Sequence, residues 1–221
     1  MRRIRLIVSY DGTAYFGSQM QPKAVTVEQK LTEAVQGLTR APAQLILASR
    51  TDTGVHALGN VAVFDTDFPM PAARFATALN AYLPPDIRIQ AADEVALNWH
   101  PRKQHCEKTY EYRIWNGRIM NPVLRNSAAH CYVSLNLSAM RAALPALLGE
   151  HDFAAFCASG SAASHTVRRI YRAELTAECE TAGAYAGLIT FRITGSGFLY
   201  HMVRILAGTL LEIGSGKKDA A

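Results

Sequence analysis

An α+β protein built as two similar halves is predicted by three observations. Period-2 apolar stretches and 3.6-spaced stretches follow one another as strand, helix, strand, strand, helix, strand over residues 3–92. The same order is read again over residues 107–213, without obvious sequence identity between the halves. A chain of 221 residues with 49% hydrophobic and 19% charged side chains suits one large or two small globular domains, and its composition excludes disordered, collagen-like and coiled-coil proteins.

In the first half, Arg3 to Ser9 alternates as a strand, and Tyr10-Asp11-Gly12-Thr13 ends it with turn chemistry. Thr26 is the expected N-cap of a helix, with Gln29 at the capping-box position and Val27, Leu31, Ala34, Val35 and Leu38 on one face up to Arg40. Residues 44–48 and 60–65 read as strands. The polar segment Ser49 to Gly59 between them is longer than a hairpin needs. A helix over 71–83 is stopped by Pro84-Pro85, and residues 86–92 form the next strand.

In the second half, residues 107–116 form a long alternating strand and 129–133 a short one. A helix is expected over 138–148 with Ser138 as N-cap, then paired strands over 168–178 and 185–194 joined through Gly183. Phe198, Met202, Ile205, Leu206, Leu210 and Ile213 place a final helix over 197–213. The pattern is that of two ferredoxin-like (RRM-like) halves, residues 1–98 and 99–221, whose antiparallel sheets meet at a central cleft.

The net charge of +5 is confined to one half: residues 1–100 carry nine basic and nine acidic groups, residues 101–221 fourteen and nine. Arg102, Lys103, Lys108, Arg113, Arg118 and Arg125 are interleaved with Tyr110, Tyr112 and Trp115, a pattern suited to phosphates and unstacked bases, or to a solvated strand face. No apolar run approaches the roughly 20 residues of a membrane span, and the start is not a signal sequence, so a cytoplasmic protein is expected. Cys106, Cys131, Cys157 and Cys179 form no Cys-x-x-Cys pair, and the seven histidines show no ligand spacing, so neither a disulfide framework nor a metal site is expected.

The densest polar cluster is Ser49-Arg50-Thr51-Asp52-Thr53-Gly54-Val55-His56, held between two apolar strands. Read alone, Asp52 is most simply an Asx cap. Together with Ala57, however, the segment resembles the Gly-Arg-Thr-Asp-Ala-Gly-Val-His motif of the tRNA pseudouridine synthase A (TruA) family. Further matches follow in family order: residues 8–17 around Tyr10-Asp11-Gly12, Asn80 to Ile87, Lys108-Thr109-Tyr110-Glu111-Tyr112, Glu150-His151-Asp152-Phe153, and Phe198-Leu199-Tyr200-His201-Met202-Val203-Arg204.

The resemblance implies an isomerase that turns uridine into pseudouridine in the anticodon stem-loop of tRNA, working as a homodimer without a cofactor. It assigns Asp52 as nucleophile, Arg204 as the basic partner of that carboxylate, Arg50 as the residue that helps extrude the base, and Tyr110 as the ring that stacks on the uracil and can assist the proton at C5. Lys103, Lys108, His56 and Phe198 are expected at the substrate. Taken singly, Arg204 also reads as an exposed helix residue, Arg50 as an ion-pair former and Phe198 as pocket wall. Two departures stand out: Ser18 where the family has a tryptophan within Gly-Trp-Gln, and an end soon after Gly214-Ser215-Gly216-Lys217, where a further helix and closing strand are expected. Two competing readings are a non-catalytic RNA-binding module of the same fold, which lacks an RNP-type aromatic motif here, and an aspartic protease, suggested by Asp52-Thr53-Gly54 and opposed by the Arg50-Thr51 before it.

Overall fold

A computed structural model describes residues 1–104, 106–161, 163–178 and 186–219. Cys179 and the expected turn at Gly183, with the start of the following strand at Tyr185, lie outside the described residues. The chain divides into two compact units, residues 1–104 and 105–221. Residues 99–104 go with the first, because Arg3 Nη1 donates to the Trp99 carbonyl and Arg102 Nε to that of Leu47, each at 2.7 Å.

The first unit is a four-stranded antiparallel sheet with two helices. Its elements are β1 (Arg2–Tyr10), α1 (Val27–Thr39), β2 (Leu45–Leu47), β3 (Ala57–Thr66), α2 (Arg74–Asn80) and β4 (Ile87–Val95), with sheet order β2-β3-β1-β4. Alternation along β1 sends Ile4, Leu6, Val8 and Tyr10 into the core. It leaves Arg3 and Arg5 on the other face, where each lies opposite a carboxylate in register and binds it through two nitrogens, Arg3 to Asp65 and Arg5 to Asp93.

Thr26 caps α1 as expected, its Oγ1 accepting from Gln29 N at 3.3 Å, but the capping box does not close. The Gln29 side-chain amide turns forward and donates to Glu33 Oε1 at 2.9 Å, and the first amides of the helix find partners outside it: Val27 N donates to the Gly17 carbonyl and Glu28 N to that of Ser18. The helix expected over 71–83 is shorter, since both its flanks are tightened into three-residue turns. Asn80 ends it and behaves as a surrogate strand, its side chain exchanging two hydrogen bonds with the backbone of Ile89.

The second unit holds β5 (Lys108–Asn116), β6 (Ala129–Cys131), α3 (Leu137–Ala143), β7 (Gly149–Asp152), β8 (Val167–Ala177), β9 (Leu188–Gly195) and α4 (Met202–Gly214), with sheet order β6-β5-β9-β8-β7. The β5–β6 pair is parallel, so this sheet is mixed and not antiparallel throughout as expected. β6 occupies the place beside β5 that β4 occupies beside β1 in the first sheet. β7 was not foreseen: all four of its residues are exposed, so no apolar alternation marks it.

Helix α3 is capped two residues earlier than Ser138, by Asn136, whose side chain accepts from Ala139 N at 3.0 Å. It stops at Ala143 because Pro145 brings no amide, and a 3-10 turn over Leu144–Leu147 follows. Helix α4 starts at Met202, later than expected, behind a left-handed His201 (φ 57°). Ile114, Phe191, Ile193, Met202, Leu206 and Leu210 form this unit's core. Among the described residues no helix is long and apolar enough to cross a membrane.

Candidate active site

In the first unit the polar segment of residues 48–56 leaves β2 and returns into β3. Its anchor is Thr51, buried at 8% exposure, which is joined to fully buried Ser18 by two hydrogen bonds. Ser18 N donates to the Thr51 carbonyl at 3.0 Å, and Thr51 N donates to Ser18 Oγ at 2.8 Å. The Thr51 hydroxyl shares a hydrogen bond of 2.8 Å with Tyr10, and Asn60 Nδ2 donates both to Tyr10 Oη (3.2 Å) and to the Ser49 carbonyl (3.0 Å). Burial raises the Tyr10 phenol above the ordinary tyrosine range, against the opposing bonds from Thr51, Asn60 and Ser18. A closed set of buried polar groups therefore fixes the backbone next to Asp52.

Asp52 itself is half-buried, and Arg50 is exposed. The Asp52 carbonyl accepts from Val55 N at 3.1 Å, closing a turn in which Gly54 takes φ +77°. On the far side of the turn His56 Nδ1 lies 3.2 Å from Gly12 N, which donates to it, and 3.0 Å from Asp11 Oδ1. Asp11 Oδ1 also accepts from the Thr13 hydroxyl (2.6 Å) and amide (2.9 Å), and these bonds, with His56, hold its carboxyl below the usual range. Tyr15 donates to Asp86 Oδ1 at 2.6 Å; burial, then this anionic partner, push its phenol well above the ordinary value. Close backbone approach makes two glycines necessary. A Cβ on Gly12 would lie 2.1 Å from the Val55 carbonyl oxygen, and one on Gly17 (φ +87°) 2.7 Å from that of Thr51.

Lys103, the remaining candidate of the first unit, is exposed in the turn after His100, whose carbonyl accepts its amide at 3.0 Å. In the second unit Tyr110 lies on β5 and Phe198 in the turn before α4. Their rings meet edge to face, centroids 5.0 Å apart at 78°, and both pack at the margin of the core. Lys108 opens β5 half-buried, and Arg204 stands exposed on the first turn of α4. The structure thus brings Asp52, Arg50 and His56 into one loop and Tyr110 and Phe198 into one pair. Tyr10, Thr51 and Asn60, the supports of the loop, were missed as functional positions. Tyr10 reads in the sequence as the start of a turn, and its hydroxyl partners are 41 and 50 residues away.

Residues 6–102 and 143–221 match the family model described as tRNA pseudouridine synthase. The chain is 43% identical over 217 residues to a tRNA pseudouridine synthase A of Geobacter sulfurreducens, covering 98% of this chain and 86% of the relative. It is 46% identical over 219 residues to that of Citrifermentans bemidjiense (99% and 85%) and 44% over 217 residues to that of Acetivibrio thermocellus (98% and 86%).

Proposed function

The chain belongs to the tRNA pseudouridine synthase family, and from that premise we propose that it isomerises uridine in the anticodon stem-loop of tRNA with Asp52 as the nucleophile. The reaction breaks the N1–C1′ glycosidic bond and forms a C5–C1′ bond; the C5 proton leaves and N1 gains one, so neither water nor an electron carrier is consumed. A carboxylate that adds and later departs is sufficient for covalent assistance. The observation that supports Asp52 is its setting: a half-buried carboxylate beside Thr51, whose amide, carbonyl and hydroxyl are all held by buried partners. A nucleophile needs a fixed approach, and this backbone is fixed on both sides.

In the same reading Tyr110, backed by Phe198, provides the ring on which an extruded uracil stacks. Arg50, exposed beside Asp52, serves extrusion, and Arg204 is the cation of the catalytic group. His56, Lys103 and Lys108 contribute to holding RNA, and we retain a homodimer acting in the cytoplasm as part of this reading. The experiment is tritium release from unmodified tRNA carrying uridine labelled at carbon 5. Release by the parent chain and none by Asp52→Asn, with tRNA binding kept, is the expected outcome. Equal release by both would remove Asp52 from the chemistry, and salt-sensitive binding without release from either would identify a non-catalytic RNA-binding protein.

A further inference from the structure

The arginines of the second sheet are not equivalent. Its strands carry five: Arg113 on β5, Arg168, Arg169 and Arg172 on β8, and Arg192 on β9. Arg113 and Arg192 share Glu111 (3.3 and 2.5 Å), Arg169 faces Glu150 at 3.4 Å, and Arg172 faces Glu107 at 3.2 Å. Arg168 alone of the five has no carboxylate within ion-pair reach among the described residues. Its Nη1 instead donates to the carbonyls of Val167 (2.6 Å) and His165 (3.0 Å) and lies 3.2 Å from His165 Nδ1. Backbone carbonyls fix the direction of a guanidinium without neutralising it. Among the described residues the Nε and Nη2 edge has no hydrogen-bond partner, which makes it a fork of donors with the charge behind it.

The direction is informative. A Cβ on Gly197 would come within 3.7 Å of Arg168 Nε, so the half-buried side chain lies along the turn that carries Phe198 towards Tyr110. The start of β8 is pinned to that turn by Ser196, whose amide donates to the Arg169 carbonyl at 2.9 Å and whose Oγ accepts from Arg169 N at 3.2 Å. We propose that Arg168 is a phosphate-binding residue, its fork taking the two oxygens of a backbone phosphodiester of the RNA substrate beside the Tyr110–Phe198 pair. The inference rests on the reading of the chain as a tRNA-modifying enzyme. An extruded base swings its own backbone out of the helical path, and a pre-oriented, unneutralised arginine next to the stacking ring can hold that backbone at little cost in side-chain ordering.

The test compares Arg168→Gln with Arg169→Gln, which removes the same charge one residue away but from an existing ion pair. Binding of unmodified tRNA is measured over a salt series. Arg168→Gln should weaken binding about tenfold near physiological salt and lower the slope of log K against log salt by about one, whereas Arg169→Gln should leave the slope in place. Equal slopes for the two variants would overturn the proposal. A second measurement needs no variant: phenylglyoxal modification of the parent chain, read by mass spectrometry, should show Arg168 protected by tRNA. Arg168 modified equally with and without tRNA would count against the site even if Arg168→Gln fails to fold. Pseudouridine formation by the parent chain is followed in the same tRNA. Its absence overturns the enzymatic reading, while activity together with an unprotected Arg168 overturns the phosphate site alone.

Discussion

Ser18 stands where the family pattern places tryptophan, and its surroundings explain how a small polar residue serves there. It has no solvent exposure, its carbonyl accepts from Glu28 N at the head of α1, and its amide and hydroxyl both engage Thr51. One residue thus ties a helix N-terminus to the loop that carries Asp52. Indole has a donor and no acceptor, so tryptophan could not receive the Thr51 amide in this way. Ser18→Ala should strand that buried N–H and cost about 1–3 kcal/mol in denaturant unfolding. Because the stranded group adjoins Asp52, kcat should fall with tRNA affinity unchanged, and Ser18→Thr, which restores the oxygen, should recover much of the rate. An unchanged kcat in Ser18→Ala would show that the loop holds its position without this bond.

At the scale of elements, the segment after β1 and the loop before β3 interlock through main-chain atoms. Gly54 N reaches the Tyr15 carbonyl at 3.3 Å, Gly12 N reaches His56, and Gly12 itself presses on the Val55 carbonyl. Gly12→Ala is therefore expected to displace residues 52–56, since backbone cannot yield as a flexible side chain does, at about 1–3 kcal/mol of overpacking. Tritium release should drop far more than thermal stability does. Activity at the parent level in Gly12→Ala would mean that the loop relaxes without moving Asp52. Much of this level was legible beforehand: β1 and α1 follow from apolar spacing, and Thr26 is the cap the sequence suggests. The ends were less so. Asn136 and Ser138 are both good N-caps, and only the position of the Ala139 amide selects Asn136.

For the molecule as a whole, the two buried tyrosines beneath the Asp52 loop set an alkaline limit. Both phenols are raised in the folded state, chiefly by burial, while in the unfolded chain they ionise near about 10. Folding thus gains from these groups below that pH, and the gain is lost as pH climbs from about 10 through the folded values, at up to about 1.4 kcal/mol per pH unit for each tyrosine. Denaturant unfolding between about pH 8 and 11 should show this decline, and Tyr15→Phe should make it shallower. A slope unaltered in Tyr15→Phe would locate the alkaline limit elsewhere.

The sequence by itself determined the period of most strands and helices and the loop that carries Asp52. These are local properties: alternation and helical spacing are written in neighbouring side chains, and a polar run between two apolar strands can only be a surface loop. The expected repeat of one element order does not hold, since β5 is followed by β6 before α3 and β7 is added before β8. Tertiary structure alone decided that Ser18 and Thr51, 33 residues apart, close on one another, that the three-residue β6 joins its sheet in parallel, and that Arg168, among the described residues, goes without the carboxylate its neighbours have. Each of these depends on which distant atoms meet when the cores close, and hydrogen bonds and ion pairs of such long sequence separation leave no periodic trace in the chain.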